Sequence, residues 1–258
     1  MIYFEYIITR IGGLSMKLFA DYHTHTIYSH GKGTIKENVE AAIKKGLKEI
    51  LISDHGPGHV FYGAKTKELY KMRAEIDRLN SEYKEITILL GLEANLISEE
   101  GDIDITHEDT KLLDMLLVGF HKGAMPKSIK DGYNLYFKNY LAKRFPSLRE
   151  ECRKRNTQAM IKAINKYDID IITHPGEYID IDTKELARAA AKRGTALEIN
   201  SSHGFLSVEY VKIAMEEGVN FVIDSDAHRP EDVGNFEKGI RVAEEAGLPV
   251  DRIINAIK

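Results

Sequence analysis

Residues 16–30 read MKLFADYHTHTIYSH, and the strand in the first half of that stretch decides the fold. Lys17–Tyr22 is a short apolar run that ends on His23-Thr-His25, two imidazoles that leave an extended chain on the same side. The pattern recurs. Glu49–Ser53, Thr87–Glu93, Met115–Phe120, Ile169–Thr173, Ala196–Asn200 and Asn220–Asp224 are further runs rich in Ile, Leu and Val. Between them, Ile35–Lys45, Thr66–Glu82, Asn156–Lys166, Thr183–Lys192 and Val208–Glu217 place apolar residues at helical spacing. Gly46, Gly194 and Gly218 follow such stretches closely, where a left-handed helix cap is expected. Strands that alternate with helices and are apolar almost throughout predict a parallel sheet covered on both faces. Seven such units suit a seven-stranded relative of the eight-fold barrel, or a doubly wound sheet. Gly101–Thr106 (GDIDIT) reads as a hairpin-like addition to the third unit.

Composition agrees with one globular domain. The chain has 258 residues, 43% hydrophobic and 29% charged, with 36 Lys+Arg against 40 Asp+Glu. α/β barrels of about 250 residues commonly form a single domain. The lone cysteine, Cys152, excludes an internal disulfide. No run approaches the ~18 apolar residues of a membrane span, so a cytoplasmic protein with no membrane partner is expected. Residues 1–15 precede the natural-looking start at Met16 and are expected to be an extension or start artefact outside a barrel of residues 16–258. Residues 122–155 carry ten Lys+Arg and three Asp+Glu within a chain of net charge −4. This basic insertion reads as a solvated helical face or mobile lid, or as a flap that concentrates an anionic substrate.

The strand ends carry the chemistry. In order they are His23 and His25, Asp54-His55, Glu93, His121, His174, Asn200, and Asp226-Ala-His228. The C-terminal edge of a parallel sheet is where sites are built. Neutral imidazole and carboxylate are ligands of Zn²⁺, Mn²⁺ and Fe²⁺. His23, His25, His30, His55, His121, His174, His228, Glu93 and Asp226 are too many for one ion. They fit two or three divalent metal ions that share a carboxylate.

YHTHTIYSH, SDHG, GLEAN, VGFH, THPG, LEIN and DSDAH, in this order, resemble the PHP (polymerase and histidinol phosphatase) superfamily over about residues 17–257. GLEANLISEEGDIDIT, NTQAMIKAI, LEINSS, GNFE and DRIIN are most similar to its bacterial single-domain phosphatases. The resemblance implies a distorted (βα)₇ TIM-like barrel with a trinuclear site at the C-terminal ends of the strands. It implies one ion on His23, His25, Glu93 and Asp226, a second on Glu93, His121 and His174, and a third on His30, His55 and His228.

The function expected is a metal-dependent phosphatase that hydrolyses a small, histidinol-phosphate-like monoester through a hydroxide bridging the ions. Glu93, Asp226 and His228 are the catalytic candidates. The alternatives are a PHP-type nuclease or phosphodiesterase and a phosphotyrosine-protein phosphatase. Tyr133, Tyr136, Phe137, Tyr140 and Phe145 among the insertion's cations speak for a nuclease. The overall negative charge speaks against a nucleic-acid partner. Oligomerisation is left open by the helix patterns. Asp54 is expected to orient His55 or to cap a helix. Arg229, His203, Arg144 and Arg149 are candidate substrate contacts, with guanidinium suited to phosphate. His107 is expected at the surface, and His59 in a mobile glycine-rich loop.

Overall fold

The computed structural model describes residues 9–11 and 14–257; residues 1–8 and 12–13 of the expected N-terminal extension lie outside the described residues. β1 (Thr9–Ile11) and β2 (Leu14–Leu18) pair antiparallel. Seven parallel strands then follow in chain order as one sheet: β3 (Ala20–Asp21), β4 (Glu49–Ile52), β5 (Thr87–Asn95), β6 (Met115–Gly119), β7 (Ile171–Ile172), β8 (Ala196–Asn200) and β9 (Phe221–Asp224). A parallel bridge between Thr24 and Ala227 brings the two edges together, so the sheet is a nearly closed, distorted (βα)₇ barrel. The last strand, β10 (Ala256–Ile257), pairs with β2 and completes a small antiparallel sheet beside it.

Period-two alternation sorts the strand residues into two apolar clusters. Ile50, Ile52, Val118, Ile172, Leu197, Ile199, Phe221 and Ile223 belong to the large cluster between sheet and helices. Ala20, Tyr22, Leu51, Leu117, Ile171, Ala196 and Val222 form the second cluster, which fills the barrel interior. The doubly buried strands explain why the runs read as continuously apolar.

Side chains zip the seam between β3 and β9. Tyr22 N donates to Asp224 Oδ1 at 2.8 Å, and Ser225 N donates to Asp21 Oδ1 at 3.1 Å. The fully buried Asn255 Nδ2 donates to Ala20 O at 2.9 Å and Ile223 O at 2.7 Å, while its Oδ1 accepts from Ile223 N at 3.1 Å. These bonds satisfy backbone groups for which no ladder partner is in place.

The helices follow local chemistry. Thr34 and Glu37 form a capping box ahead of Ile35–Lys44. Gly46, Gly194 and Gly218 all have positive φ, as expected of helix ends. Three segments differ from expectation. The strand expected over Lys17–Tyr22 breaks at Phe19, because its N–H donates to Asn255 O while its C=O accepts from Lys48 N, so the chain changes partners there. Only Ile171–Ile172 of the run from Ile169 to Thr173 is in the ladder. The helix expected from Asn156 begins ten residues earlier, at Pro146, where proline suits a first helical turn. The last ten residues of the basic segment are therefore the front of a barrel helix. The remainder winds through Ile129–Asp131, a π-helical turn at Gly132–Phe137, and Lys138–Ala142.

Candidate metal centre

The inward-facing positions change character along the barrel axis. β5 presents Leu89, Gly91, Glu93 and Asn95, and β8 presents Ala196, Glu198 and Asn200. β6 runs Leu117, Gly119 and then His121. Apolar residues fill the floor and polar ones the mouth, where six of the seven strands, all but β8, deliver ligand candidates. Glycine at 119 is required by space: a Cβ there would lie 2.4 Å from Thr173 Oγ1, 3.0 Å from His121 Cε1 and 3.2 Å from Glu93 Oε1.

The structure brings all nine ligand candidates into one cluster. His23 Nε2 and His25 Nε2 face each other at 3.1 Å. Each lies 3.3–3.7 Å from carboxylate oxygens of Glu93 and Asp226. Glu93 is fully buried; its Oε1 is 3.0 Å from His174 Nε2 and 3.2 Å from His121 Nε2, and its Oε2 is 2.9 Å from His55 Nδ1. The His30 ring stacks on His55 at 4.8 Å and meets His228 edge-on at 4.2 Å. Three groups have ligand atoms within 4.8 Å of one another: His25, His30, His55 and His228; His23, His25 and Asp226; and His55, Glu93 and His121.

Hydrogen bonding fixes which nitrogen points inward. His23 Nδ1 can only donate to Glu198 Oε1, 2.6 Å away. Asn95 donates through Nδ2 to Asp104 Oδ2 at 2.6 Å, which turns its Oδ1 to accept from His121 Nδ1 at 2.7 Å. His228 Nδ1 donates to the Asp226 carbonyl at 3.0 Å. In all three the Nε2 lone pair is left for the centre, the tautomer a metal needs. His25 Nδ1, His30 Nδ1, His55 Nδ1 and Glu93 Oε2 are buried without a hydrogen-bond partner, a cost that a coordinated cation removes. The donor set thus fits divalent ions.

Protonation follows the same logic. Burial, with neighbouring imidazoles, holds His25 well below the ordinary histidine value and lowers His30 to about 3. Burial also lowers His121 to about 4. Burial opposes charge on His23 and His174 as well, but it is outweighed. Glu198, Glu93 and Asp226 hold His23 well above its usual value, and Glu93 lifts His174 to about 9. Burial would raise the carboxyls of Glu93 and Asp226, yet the surrounding imidazoles keep both well below the usual carboxylate range. The carboxylates favour their charged form, and a cation bound between them would take the place of the protons that His23 and His174 favour there. His174 and Asp226 are also the non-glycine residues with positive φ among those described, at 29° and 53°. Such backbone costs ~1–3 kcal/mol and is typical of functional sites.

The other candidates are distributed around the mouth. His203 is half-exposed, with Nε2 3.2 Å from Asp226 Oδ2 and Nδ1 3.2 Å from Glu177 Oε1. Arg229 is exposed directly after His228, and Arg144 is exposed in the insertion. Arg149 is tied to Asp180 at 2.5 Å and shares a hollow of about 880 Å³ with Gly176, Glu177 and Phe205. A smaller hollow of about 270 Å³ reaches Asp226 and His228 themselves and includes Ser201, Ser225 and Lys238. The insertion's cations are largely paired: Arg153 with Glu150, Arg155 with Glu99, Lys138 with Glu151, and Lys127 with Asp102. His107 is exposed at a helix start, as expected. His59 differs from expectation. It is buried, stacked on His55 at 5.2 Å, in a loop that exchanges backbone bonds with Gly123 and Met125. Asp54 differs too: it accepts from Thr26 N at 2.8 Å, Thr26 Oγ1 at 2.6 Å and Ser29 Oγ, so it holds the loop leading to His30 rather than the His55 ring.

A model of the PHP domain matches residues 21–202. The chain belongs to the PHP domain family. It is a metal-dependent phosphoesterase. Over 93% of its length this PHP protein is 33% identical to a probable phosphatase of Shewanella frigidimarina (strain NCIMB 400), covering 90% of that protein. A probable phosphatase of Thermoanaerobacter sp. (strain X514) is 34% identical, with 93% and 91% covered. The fold is similar to that of the histidinol phosphate phosphatase from Lactococcus lactis subsp. lactis Il1403, whose structure is a complex with zinc, L-histidinol and phosphate. The TM-score is 0.61 at 18% identity, covering 89% of this chain and 94% of that one.

Three residues that hydrogen-bond to the ligand candidates escaped the sequence reading. Glu198, Asn95 and Thr173 all lie within the motifs LEIN, GLEAN and THPG, beside residues that were singled out. Glu198 holds His23, Asn95 holds His121, and Thr173 Oγ1 donates to Glu93 Oε1 at 2.7 Å. Period two gives the available signal: Glu198 and Asn200 are two apart on a strand, as are Glu93 and Asn95.

Proposed function

We propose that the chain is a phosphomonoesterase that hydrolyses a small phosphorylated substrate at a cluster of up to three divalent ions. His23, His25, Glu93 and Asp226 would hold one ion, Glu93, His121 and His174 a second, and His30, His55 and His228 a third. The observation that carries this reading is the convergence of the nine side chains on buried Glu93 and Asp226, with inward tautomers fixed from outside. Zn²⁺, Mn²⁺ or Fe²⁺ bound there would supply Lewis acidity and would lower the pKa of water toward ~7.

The chain's own residues perform the rest. Glu93, reached from one side by His121 and His174 and from the other by His55, is placed to be shared between ions. Asp226 faces His23 and His25 with one oxygen and His203 with the other, so His203 is positioned to meet a phosphoryl oxygen at the mouth. Arg229, Arg144 and Arg149 stand farther out as candidate contacts for the ester's remainder. The hollow of about 270 Å³ at Asp226 and His228 suits a phosphoryl group with a small leaving group. The pairing of the insertion's cations with neighbouring carboxylates argues against a free basic track for nucleic acid.

The test is a steady-state rate panel on protein reconstituted with Zn²⁺ or Mn²⁺. Substrates are p-nitrophenyl phosphate, histidinol phosphate, a phosphotyrosine peptide and labelled single-stranded DNA, each with a chelated control. Chelator-sensitive turnover of small monoesters, with DNA intact, is the expected result. Cleavage of DNA with inert monoesters would overturn it.

A further inference from the structure

We infer that Glu198 is a positioning residue that serves two metal subsites at once, through a different carboxylate oxygen for each. The inference rests on the ligand assignment above and concerns a residue outside it. Glu198 is fully buried midway along β8, next to β7, which leads to His174, and separated by β9 from β3, which leads to His23. Its Oε1 accepts from His23 Nδ1 at 2.6 Å. Its Oε2 accepts from the backbone N–H of His174 at 2.6 Å and from Asn200 Nδ2 at 3.2 Å.

Each contact has a separate consequence. The bond to His23 fixes the tautomer and ring orientation that aim Nε2 at Glu93 and Asp226. The bond to His174 restrains a residue whose φ of 29° is strained and which remains there only if its surroundings hold it. Asn200, the third donor, donates through the same Nδ2 to Asp226 Oδ2 at 3.1 Å, which extends the arrangement to a second carboxylate of the first subsite. His30, His55 and His228 are not among the residues Glu198 touches, so the third subsite lies outside this network.

Three donors converge on this side chain, and the chemistry of the acceptor follows. A carboxylate offers two acceptor oxygens. Glutamine in the same shape offers one, and its NH₂ then faces an N–H: it can serve His23 or His174 but not both. Aspartate keeps both acceptors but draws them back by one methylene.

The experiment titrates Zn²⁺ into the full chain stripped of metal, following heat and bound ions per chain, for wild type, Glu198→Gln, Glu198→Asp, His30→Ala and Glu198→Gln/His30→Ala. Melting of the stripped proteins is measured alongside. Loss of an outer hydrogen bond to a metal ligand typically weakens binding ~10–100-fold. Glu198→Gln is expected to lose that much at whichever of the His23 and His174 subsites its single acceptor oxygen leaves unserved. It keeps the ion that His30→Ala loses, and the double variant loses both sets. A stripped Glu198→Gln that melts like wild type while binding weakly separates positioning from a merely structural role. If Glu198→Gln does not fold, Glu198→Asp carries the same expectation. Titrations that superimpose on wild type, or a Glu198→Gln that loses the His30-dependent ion equally, would overturn the inference and leave the ligand assignment standing. A wild type that takes up no ion would overturn both.

Discussion

Replacing Gly119 by alanine tests whether the barrel mouth is built to the dimensions of its ligands. The added Cβ would sit 2.4 Å from Thr173 Oγ1, so the hydroxyl must retreat by ~1 Å to reach ordinary contact. Thr173 Oγ1 donates to Glu93 Oε1 at 2.7 Å, and such a retreat breaks that bond. A buried hydrogen bond to a charged group contributes ~1.5–3 kcal/mol. The contacts at 3.0 Å to His121 Cε1 and 3.2 Å to Glu93 Oε1 are also tight, and overpacking of this kind costs ~1–3 kcal/mol. The expected destabilisation is therefore ~3–5 kcal/mol in urea unfolding of the metal-free protein. Bound metal should fall with it, because Glu93 and His121 are displaced together. Thr173→Ala alone loses the hydroxyl and should cost ~1.5–3 kcal/mol. Gly119→Ala/Thr173→Ala removes the atom that clashes, so it should lie within ~1–2 kcal/mol of Thr173→Ala instead of adding the two single effects. Strict additivity, or a Gly119→Ala protein with wild-type stability and metal content, would refute the reasoning.

Three further outcomes are expected. Glu93→Ala and His174→Ala should each reduce chelator-sensitive phosphatase turnover by more than ~10³-fold, since each removes a candidate ligand; activity within tenfold of wild type contradicts the assignment. Asn255→Ala should cost ~3–5 kcal/mol in thermal unfolding, because it leaves buried backbone groups of Ala20 and Ile223 unpaired across the seam, and a loss below ~1 kcal/mol would show that the seam closes by other means. Asp102 joins Lys127 of the insertion to Lys166 of the long helix; burial would raise its carboxyl, but the two ammonium groups and Ser98 outweigh burial and hold it below the ordinary value. A depressed carboxyl stabilises the fold above its unfolded value of ~3.9 and loses that contribution as pH falls further. The stability gap between wild type and Asp102→Asn should accordingly be constant from pH 7 to 5 and shrink below pH ~4, and a gap independent of acid would exclude the role.

What was legible in the sequence and what was not divide along a physical line. Each ligand candidate except His30, which lies in a loop, stands at or just past the end of an apolar strand, and a single chain segment announces it: His23 and His25 by their spacing, Glu93 by the cost of a carboxylate in an apolar run. The barrel could be read the same way, because strands buried on both faces carry their apolar character along their whole length. Glu198, Asn95 and Thr173 act through partners 175, 26 and 80 residues away, and no single segment shows that proximity. The misread elements failed for a related reason. Phe19 ends a strand because of Asn255 and Lys48, and Asp54 serves Thr26 and Ser29 rather than its neighbour His55, so distant partners overrode local pattern. The basic insertion is the instructive case. Its net positive charge left a solvated face, a mobile lid or a flap for anions open, but Arg149 and Arg155 lie within reach of Asp180 and Glu99, and only the fold shows that pairing. A local charge excess measures what a segment can attract; which carboxylates already stand beside it decides what it attracts. On that argument, the pairing of Arg149 with Asp180 leaves the insertion less charge to offer an anion than its composition implies.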